Sequence, residues 1–407
     1  MKRLCFLLIA ILILITAFPG ISLAQDEITI ISSDAQAQFP LAITFRLEAE
    51  SSNEITDVDL EYRVERSSLI PVNCRVDVGF VPGQRVSANW TWNMLETGGL
   101  PPGTEVEYWW LIEDAAGHQI ETSPNTVQFD DLRYTWHSLV SDQVTLFWYQ
   151  GDQSFAQELM DAANEALESL AGDVGVSLEQ PAKFYIYASQ QDLLGALVYP
   201  DIWTGGVAFP DYGTIVIGVS PNDLAWGKRA IAHELGHLVV YQATLSPYAD
   251  LPVWLDEGLA MDAEGELRSD LQEKLDQAIA NDALFSVRSI SSSFPADPEE
   301  AALCYAESYS VVQFLIDNYC PCKIPQLLNV FKEGSTYDDA LVEVYGFDTD
   351  GLDALWRVSL GLGPEPTPTP GEGVSGMSSY YIALIVVVAI LGVLFIFAAL
   401  RYLRHRR

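Results

Sequence analysis

The sequence predicts a multidomain protein in which an all-β domain precedes a mixed α/β domain and a single C-terminal transmembrane helix. Apolar residues alternate with a period of two over residues 27–129, whereas strand and helix periods mix over residues 132–363. Both ends of the chain are apolar, carry basic residues and contain no Asp or Glu. These changes in pattern divide the chain into a targeting segment, two domains, a linker, an anchor and a tail.

Residues 1–24 have the pattern of a secretory signal peptide. Lys2 and Arg3 precede an uncharged apolar run that extends to Ala17, and small residues stand before Gln25. We expect cleavage after Ala24, since a small residue at that position suits the signal peptidase. The alternative is an uncleaved N-terminal anchor.

Residues 25–131 are predicted to form a small antiparallel β-sandwich. Leu41–Leu47, Val58–Val64 and Val106–Ile112 alternate between apolar and polar side chains, and Ser51–Asn53 reads as a turn between two strands. Short strands with turn signals between them are typical of a sandwich of immunoglobulin or fibronectin size. Nothing in this domain indicates catalysis, so we interpret it as a spacer or adhesion module.

Residues 132–362 are predicted to form an α/β domain. Ser220 is the expected N-cap of its most informative helix and Pro221 the first helical position. The strand Thr214–Val219 either offers an edge for pairing with an extended peptide or is covered by loops. The predicted elements are strands at residues 143–149, 183–188 and 214–219 and helices at residues 154–170 and 221–244.

Residues 363–379 are a Pro- and Gly-rich linker, and residues 380–400 are predicted to form a transmembrane helix. The run from Tyr381 to Leu400 has 20 uncharged residues, enough at about 1.5 Å per residue to cross a hydrocarbon layer of about 30 Å. Basic residues stay on the cytoplasmic side of a membrane, as the tail 401–407 would. We therefore expect a single-pass type I protein of the cell membrane whose domains lie outside the cytoplasm.

The charge of the chain excludes one class of partner. The sequence has 56 acidic and 21 basic residues, a net charge of −35, and setting aside the six basic residues at the two ends leaves 15 basic residues and a net charge of −41. Such a surface repels phosphate backbones, so nucleic-acid binding is not expected. The acidity alone favours basic substrates. The sequence gives no indication of the oligomeric state.

Cysteine usage is too sparse for a disulfide scaffold. Cys74, Cys304, Cys320 and Cys322 follow the signal peptide. A bond between Cys320 and Cys322, or one between domains, stays open at this point.

Residues 233–237 read His-Glu-Leu-Gly-His, which is a complete H-E-x-x-H motif. On a helix, His233 and His237 lie one turn apart on the same face, so both imidazoles reach one metal ion. Glu234 is rotated by about 100° from His233, which places it to act on water rather than to bind the metal. The residues after His237 include no third histidine at a fitting position, so the third ligand is expected to be a carboxylate.

Residues 254–260 read Trp-Leu-Asp-Glu-Gly-Leu-Ala, and together with the histidine motif they resemble the gluzincin metallopeptidases. The resemblance is closest to the peptidase-MA-like group related to the M1 aminopeptidases. It extends through Tyr305–Ser310, Asp338–Ala340 and Leu355–Trp356, and it covers residues 132–362. It implies an α/β–α domain with the thermolysin-like zincin fold.

The resemblance also implies roles for individual residues. His233, His237 and Glu257 would bind Zn²⁺, and Glu234 would be the general base that hydrolyses peptide bonds through a zinc-activated water. Peptides or proteins would then be the substrates. Related zincins use a downstream Tyr to stabilise the oxyanion, which makes Tyr305 a second catalytic candidate, with core packing as its alternative role.

Asp256 is adjacent to the ligand Glu257 and is interpreted as solvated or beside the ligands. The sequence departs from the group in two features. The acidic residue expected four positions after Glu257 is replaced by Met261, and the next acidic residues are Asp262 and Glu264. The Gly-x-Met-Glu-Asn signature that grips a substrate amine in M1 enzymes is missing, so an endopeptidase is favoured over an aminopeptidase.

Two other hypotheses remain. In the first, the chain is a catalytically silent binding, adhesion or sensor protein anchored to the membrane. In the second, its zinc is purely structural. All three ligands and the base Glu234 are present, so degeneration into a silent protein is not evident. The intact Glu234 and the presence of only three evident ligands argue against a structural zinc, since structural zinc sites usually close with a fourth ligand.

Overall fold

The computed structural model describes residues 28–64, 66, 73–199, 205–320 and 322–363. The predicted signal peptide, nearly all of the linker, the transmembrane segment and the basic tail lie outside these residues. Within the described part of the chain, no helix combines the length and the apolar character needed to cross a membrane.

The N-terminal domain is β-rich, as predicted. The first half of β2 pairs antiparallel with β1 and β4, and its second half pairs with β3 and β5, so one strand serves two sets of neighbours. Apolar side chains such as Phe45, Leu60 and Trp110 alternate into a fully buried core. The elements are β1 (Thr29–Gln38), β2 (Ala42–Val64), β3 (Asn73–Asp77), β4 (Gly83–Asn93), α1 (Met94–Thr97), β5 (Thr104–Asp114), β6 (Gln119–Glu121) and β7 (Asn125–Phe129).

The turn predicted at Ser51–Asn53 is wrong, because β2 continues through these residues. The pairing of β2 with β4 shifts register between Glu50 and Ile55, so the strand bends without ending. Ser51 Oγ and Asn53 Nδ2 both donate hydrogen bonds to Asp114 Oδ2, at 3.0 and 3.2 Å. These polar side chains are satisfied by a neighbouring strand and therefore need no turn.

The second domain begins with a mixed sheet. Its strand order is β11–β12–β10–β9–β8, in which β9, β10 and β12 are parallel and the two outer strands are antiparallel to their neighbours. The elements are β8 (His137–Val140), β9 (Val144–Trp148), α2 (Gln153–Ser169), β10 (Ala182–Tyr187), α3 (Gln190–Leu194), β11 (Gly206–Phe209) and β12 (Thr214–Gly218).

The strand predicted at Thr214–Val219 is present as β12, but it is not a sheet edge. The edge on this side of the sheet is β11, a four-residue strand paired with β12. Its shortness and its glycine gave it too weak an alternation to be predicted.

The rest of this domain is helical. Helix α5 (Val253–Ala263) packs against both α4 (Leu224–Thr244) and α7 (Pro298–Asn318), and α4 also packs on α2. Asp297 caps α7 by accepting hydrogen bonds from the backbone N–H groups of Glu299 and Glu300, as Asp commonly does at a helix N-terminus. The helices are α4 (Leu224–Thr244), α5 (Val253–Ala263), α6 (Ser269–Ala280), α7 (Pro298–Asn318), α8 (Lys323–Lys332), α9 (Tyr337–Tyr345) and α10 (Thr349–Ser359).

The predicted start of α4 is wrong by three residues. Ser220 and Pro221 belong to a turn that is closed by a 2.9 Å hydrogen bond from Asp223 N to Ser220 O, and the helix begins at Leu224. The Ser220 hydroxyl accepts from Asn222 N within this turn, so the residue caps the turn and not the helix.

Cys320 and Cys322 form a disulfide, while Cys74 and Cys304 are free thiols. The described residues 353–363 belong to a compact unit separate from the residues before them. In its described part, Arg357 Nε donates a 2.9 Å hydrogen bond to Asp353 Oδ2 one helical turn earlier.

Candidate metal centre

Three predicted ligands converge from two helices. His233 and His237 lie one turn apart on α4, and their Nε2 atoms are 3.2 Å apart. Glu257 lies on α5, and its Oε2 atom is 3.5 Å from each of these nitrogens. The group is partly buried, and the three ligand atoms therefore face one point.

This geometry fits a zinc ion. Two nitrogens at zinc–nitrogen distances of about 2.0–2.1 Å and a tetrahedral angle are separated by about 3.3–3.4 Å. The 3.2 Å separation of the two Nε2 atoms is close to that value. Glu257 Oε2 is buried and has no hydrogen-bond partner, which is costly unless a cation satisfies it. Imidazole and carboxylate ligands are those that zinc takes.

Two glycines allow close packing of the ligand helices. A Cβ atom on Gly236 of α4 would lie 2.7 Å from the Cα atom of Ala260 on α5. A Cβ atom on Gly258 of α5 would lie 2.5 Å from the carbonyl oxygen of Ser308 on α7. Gly236 therefore lets α5 approach α4, which brings Glu257 within reach of the histidines, and Gly258 lets α5 pack closely on α7.

Carboxylates lie beside both imidazoles. Glu264 Oε1 lies 2.9 Å from His233 Nδ1, and Asp256 Oδ2 lies 3.1 Å from His237 Nδ1. The hydrogen bond to Glu264 directs Nε2 of His233 toward the metal position. The approach of Asp256 has the distance of an ion pair but not the geometry of a hydrogen bond. Asp256 thus lies beside the ligands, as interpreted from the sequence. Glu264, directly after α5, makes the contact that was expected of an acidic residue at position 261. The sequence identified Glu264 as a nearby acidic residue but did not predict its contact with His233.

The electrostatics of the protein groups favour a charged cluster. Burial lowers the pKa of His233, but its contacts with Glu257 and Glu264 outweigh burial and raise the pKa to about 9. The pKa of His237 is likewise raised, by Asp256 and Glu257 against burial. Burial raises the pKa of Glu257, yet the two histidines lower it to about 2. Glu257 is therefore ionised at neutral pH, as a metal ligand must be.

Glu234 lies beside the ligands and against the edge strand. Burial raises the pKa of its carboxyl group. A Cβ atom on Gly206, the first residue of β11, would lie 2.9 Å from Glu234 Oε1. The hydroxyl group of Tyr241 on α4 donates a hydrogen bond to Asp211. This bond links the segment between β11 and β12 to α4, the helix that carries both histidines. The sequence contains Gly205-Gly206 but gives no signal that Gly206 lies against Glu234.

Tyr305 of α7 is also brought to the centre. Its ring centroid lies 6.4 Å from that of His233, and its side chain lines the same cleft as Glu234. Burial, with Glu257 and Glu234 nearby, raises its pKa to about 12, so its hydroxyl group is a hydrogen-bond donor at neutral pH.

A cleft of about 1010 Å³ leads away from the metal centre along the N-terminal half of α4. His233, Glu234 and Tyr305 line its wall, and Arg229 and Arg268 line it as well. Most other lining residues are apolar or small, among them Ala225, Trp226, Ala230, Leu271, Ala296 and Ala301. Its size suits part of a peptide chain.

Residues 162–361 match the family model of the Peptidase MA superfamily. The match includes every residue of the candidate centre and most of the predicted domain. The second domain is thus a Peptidase MA-like α/β domain, which supports a gluzincin-like peptidase. No curated protein sequence matches the chain.

Solved structures resemble the chain at low identity. The M1 zinc metallopeptidase from Deinococcus radiodurans is 12% identical, with 85% of this chain and 96% of that chain covered and a TM-score of 0.32. A mutant of it bound to a Tyr-Ser-Ala substrate is 13% identical at the same coverage, with a TM-score of 0.36. A β-1,3-glucan-binding module of family 56 is 21% identical, covering 25% of this chain and 99% of that module at a TM-score of 0.16. Likeness at these scores indicates nothing about activity.

Proposed function

We propose that this protein is a zinc-dependent metallopeptidase that hydrolyses peptide bonds, with Glu234 as the general base. The observation that carries the proposal is the convergence of His233, His237 and Glu257 on one point beside Glu234. Three protein ligands leave one position of a tetrahedral zinc open, which is typical of a catalytic rather than a structural site.

Each side chain of the centre has its own role in the proposed reaction. When bound, zinc would supply Lewis-acid polarisation of the scissile carbonyl and activation of water. Glu234 accepts a proton from the attacking water and returns it to the leaving amine. Tyr305 donates a hydrogen bond to the oxyanion that develops on the carbonyl oxygen. Glu264 holds the His233 imidazole in orientation, and Asp256 lies beside that of His237.

The substrate backbone has a surface to lie on. In the sheet, β11 (Gly206–Phe209) pairs with β12 on one side and is last in the strand order on the other. An extended peptide that pairs with this strand would pass Glu234, since Gly206 lies against that side chain. A peptide bound in this way can extend beyond the cleaved bond in both directions, which favours an endopeptidase.

We further propose that the activity faces the outside of the cell. The signal-peptide pattern of residues 1–24 and the apolar run of residues 380–400 support a type I anchor, with the basic tail 401–407 in the cytoplasm. Protease accessibility of the two ends in intact cells tests this orientation.

The central experiment measures zinc and cleavage on one preparation of the full chain. We expect about one zinc per chain by mass spectrometry, cleavage of a diverse peptide library, and loss of cleavage after chelation with recovery on adding zinc. The cleavage positions distinguish an endopeptidase from an aminopeptidase. A protein that carries no zinc and cleaves no peptide would instead be the membrane-anchored binding protein.

A further inference from the structure

The cleft beside the metal centre contains two cations that the mechanism does not use. Arg229 and Arg268 line its wall, and their side chains are 38% and 43% exposed. They are two of only 15 basic residues in a region with 56 acidic ones. Two cations in one cleft on so acidic a protein therefore require an explanation.

Arg229 lies one turn before His233 on α4. Its Nη1 atom is 3.3 Å from the carbonyl oxygen of Glu266 and 3.7 Å from Glu264 Oε2. The second distance is too long for a hydrogen bond, and the other oxygen of Glu264 is already used by His233. The charge of Arg229 is thus only loosely balanced.

Arg268 lies directly before the first residue of α6 and two residues after Glu266, whose carbonyl oxygen Arg229 contacts, and both arginines line the same cleft. It contacts Asp270 through Nε at 3.1 Å and Nη2 at 2.8 Å. Asp270 is 61% exposed and is not among the residues that line the cleft. This pair is bidentate but exposed to solvent, so a carboxylate in the less polar cleft would compete with Asp270 for the guanidinium group.

The surroundings strengthen a charge interaction at this wall. The acidic residues that line the cleft are Glu234 and Glu264, and both are engaged at the metal centre. The remaining lining, including Trp226, Leu271 and Ala296, is apolar or small. A guanidinium group matches the fork of a carboxylate, and low polarity around the pair increases their attraction.

We propose that Arg229 and Arg268 bind an acidic group of the peptide substrate while an adjacent apolar side chain packs on the apolar wall of the cleft. The acidic group is a carboxylate, either that of the substrate C-terminus or that of an Asp or Glu side chain. The inference rests on the proposed peptidase function. It also runs against the net charge, which alone favours basic substrates.

The test uses peptides built on one cleaved sequence from the library. One series places Glu, Gln or Lys at each position near an apolar residue, and a second compares a free with an amidated C-terminus. We expect the carboxylate form to be cleaved about tenfold more efficiently, chiefly through a lower KM, because one charge-assisted hydrogen bond is worth about that much. The series that shows the preference identifies the source of the carboxylate.

Variants assign the preference to the arginines. Arg268→Gln is expected to abolish it with zinc content unchanged, and Arg268→Glu to reverse it in favour of Lys. Arg229→Gln is expected to act likewise, with zinc content measured because Arg229 lies near Glu264. Arg85→Gln is the matched control: it removes an exposed arginine of the β-rich domain that is paired with Glu48.

A binding arm separates this inference from the proposed function. Labelled peptides that place Glu, Gln or Lys beside an apolar residue, chosen without reference to cleavage, are titrated against the Glu234→Gln variant, and binding is followed by fluorescence anisotropy. Tighter binding of the acidic peptide that disappears in Glu234→Gln/Arg268→Glu supports the inference even if the parent protein cleaves nothing. Equal binding and equal cleavage of acidic, neutral and amidated peptides would overturn the inference and leave the peptidase proposal standing.

Discussion

Glu264 Oε1 lies 2.9 Å from His233 Nδ1, so a residue directly after the end of α5 holds a side chain of α4. This contact replaces the acidic residue that the motif lacks at Met261. The orientation of the His233 imidazole therefore depends on the position of the residue that follows the last turn of α5.

We predict that Glu264→Gln weakens zinc binding by about 10- to 100-fold, because the orienting carboxylate contact is lost. Competition with a chromophoric chelator measures the affinity. Glu266→Gln is the control, since the exposed side chain of Glu266 is not a lining residue and only its backbone carbonyl contacts Arg229. Equal zinc affinities for Glu264→Gln and the parent would contradict the role of Glu264.

Glu234→Gln should keep zinc and lose turnover. The amide cannot accept the proton of water, and general-base catalysis contributes about 10²- to 10⁴-fold to rate. Zinc content by mass spectrometry and initial cleavage rates on one peptide check both halves. Parental turnover in this variant would show that Glu234 is not the base.

Gly206→Ala should lower kcat with zinc content and stability nearly unchanged. The added methyl group would meet the end of the flexible Glu234 side chain, 2.9 Å from Oε1, so the carboxylate moves and the fold does not. Kinetics and thermal unfolding are compared with Gly79→Ala, where no atom lies within 4 Å of the added Cβ. A kcat equal to that of the control would place Glu234 outside the chemistry.

Gly258→Ala should destabilise the second domain by about 1–3 kcal/mol, since overpacking of a close helix contact forces the backbone to shift. The added Cβ would lie 2.5 Å from the Ser308 carbonyl oxygen, and backbone cannot yield as a side chain does. Denaturant unfolding measures the loss, and zinc content should fall with it. Gly361→Ala is unsuitable as a control because Gly361 has a positive φ, so Gly79→Ala serves again.

The β-rich domain should lose stability in acid through Asp114. Burial raises the pKa of this carboxyl group, but hydrogen bonds from His118, Ser51 and Asn53 outweigh burial and hold the pKa well below its usual range. A group with a lowered folded pKa stabilises the fold above its unfolded pKa, about 3.9, and this stabilisation is lost as the pH falls further.

Asp114→Asn should therefore be less stable than the parent at pH 7, and the difference should shrink below pH 4. Unfolding midpoints measured across this range check the slope. Asp34→Asn, which alters an exposed partner of Arg46, should show a much smaller difference. A pH-independent difference for Asp114→Asn would mean that its charge is not what stabilises the domain.

Local pattern predicted the elements well where one face of each element is buried. The helix expected at residues 154–170 is Gln153–Ser169, and the strand expected at residues 183–188 is Ala182–Tyr187. Prediction failed where a distant partner replaces a local signal. Asp114 keeps Ser51 and Asn53 inside a strand, and pairing with β12 stabilises β11 although its own pattern is weak.

The candidate metal centre likewise has a part that local sequence pattern predicts and a part that depends on tertiary packing. Helical spacing alone puts His233 and His237 on one face with Glu234 beside them, so the sequence determined that part and the expectation of a carboxylate ligand. Only the tertiary structure decided that Glu264 holds His233, that Gly206 leaves no room for a Cβ beside Glu234 and that Arg229 and Arg268 line one cleft. The reason is that a periodic pattern reports contacts within one element, whereas these contacts join residues whose positions depend on how several elements pack.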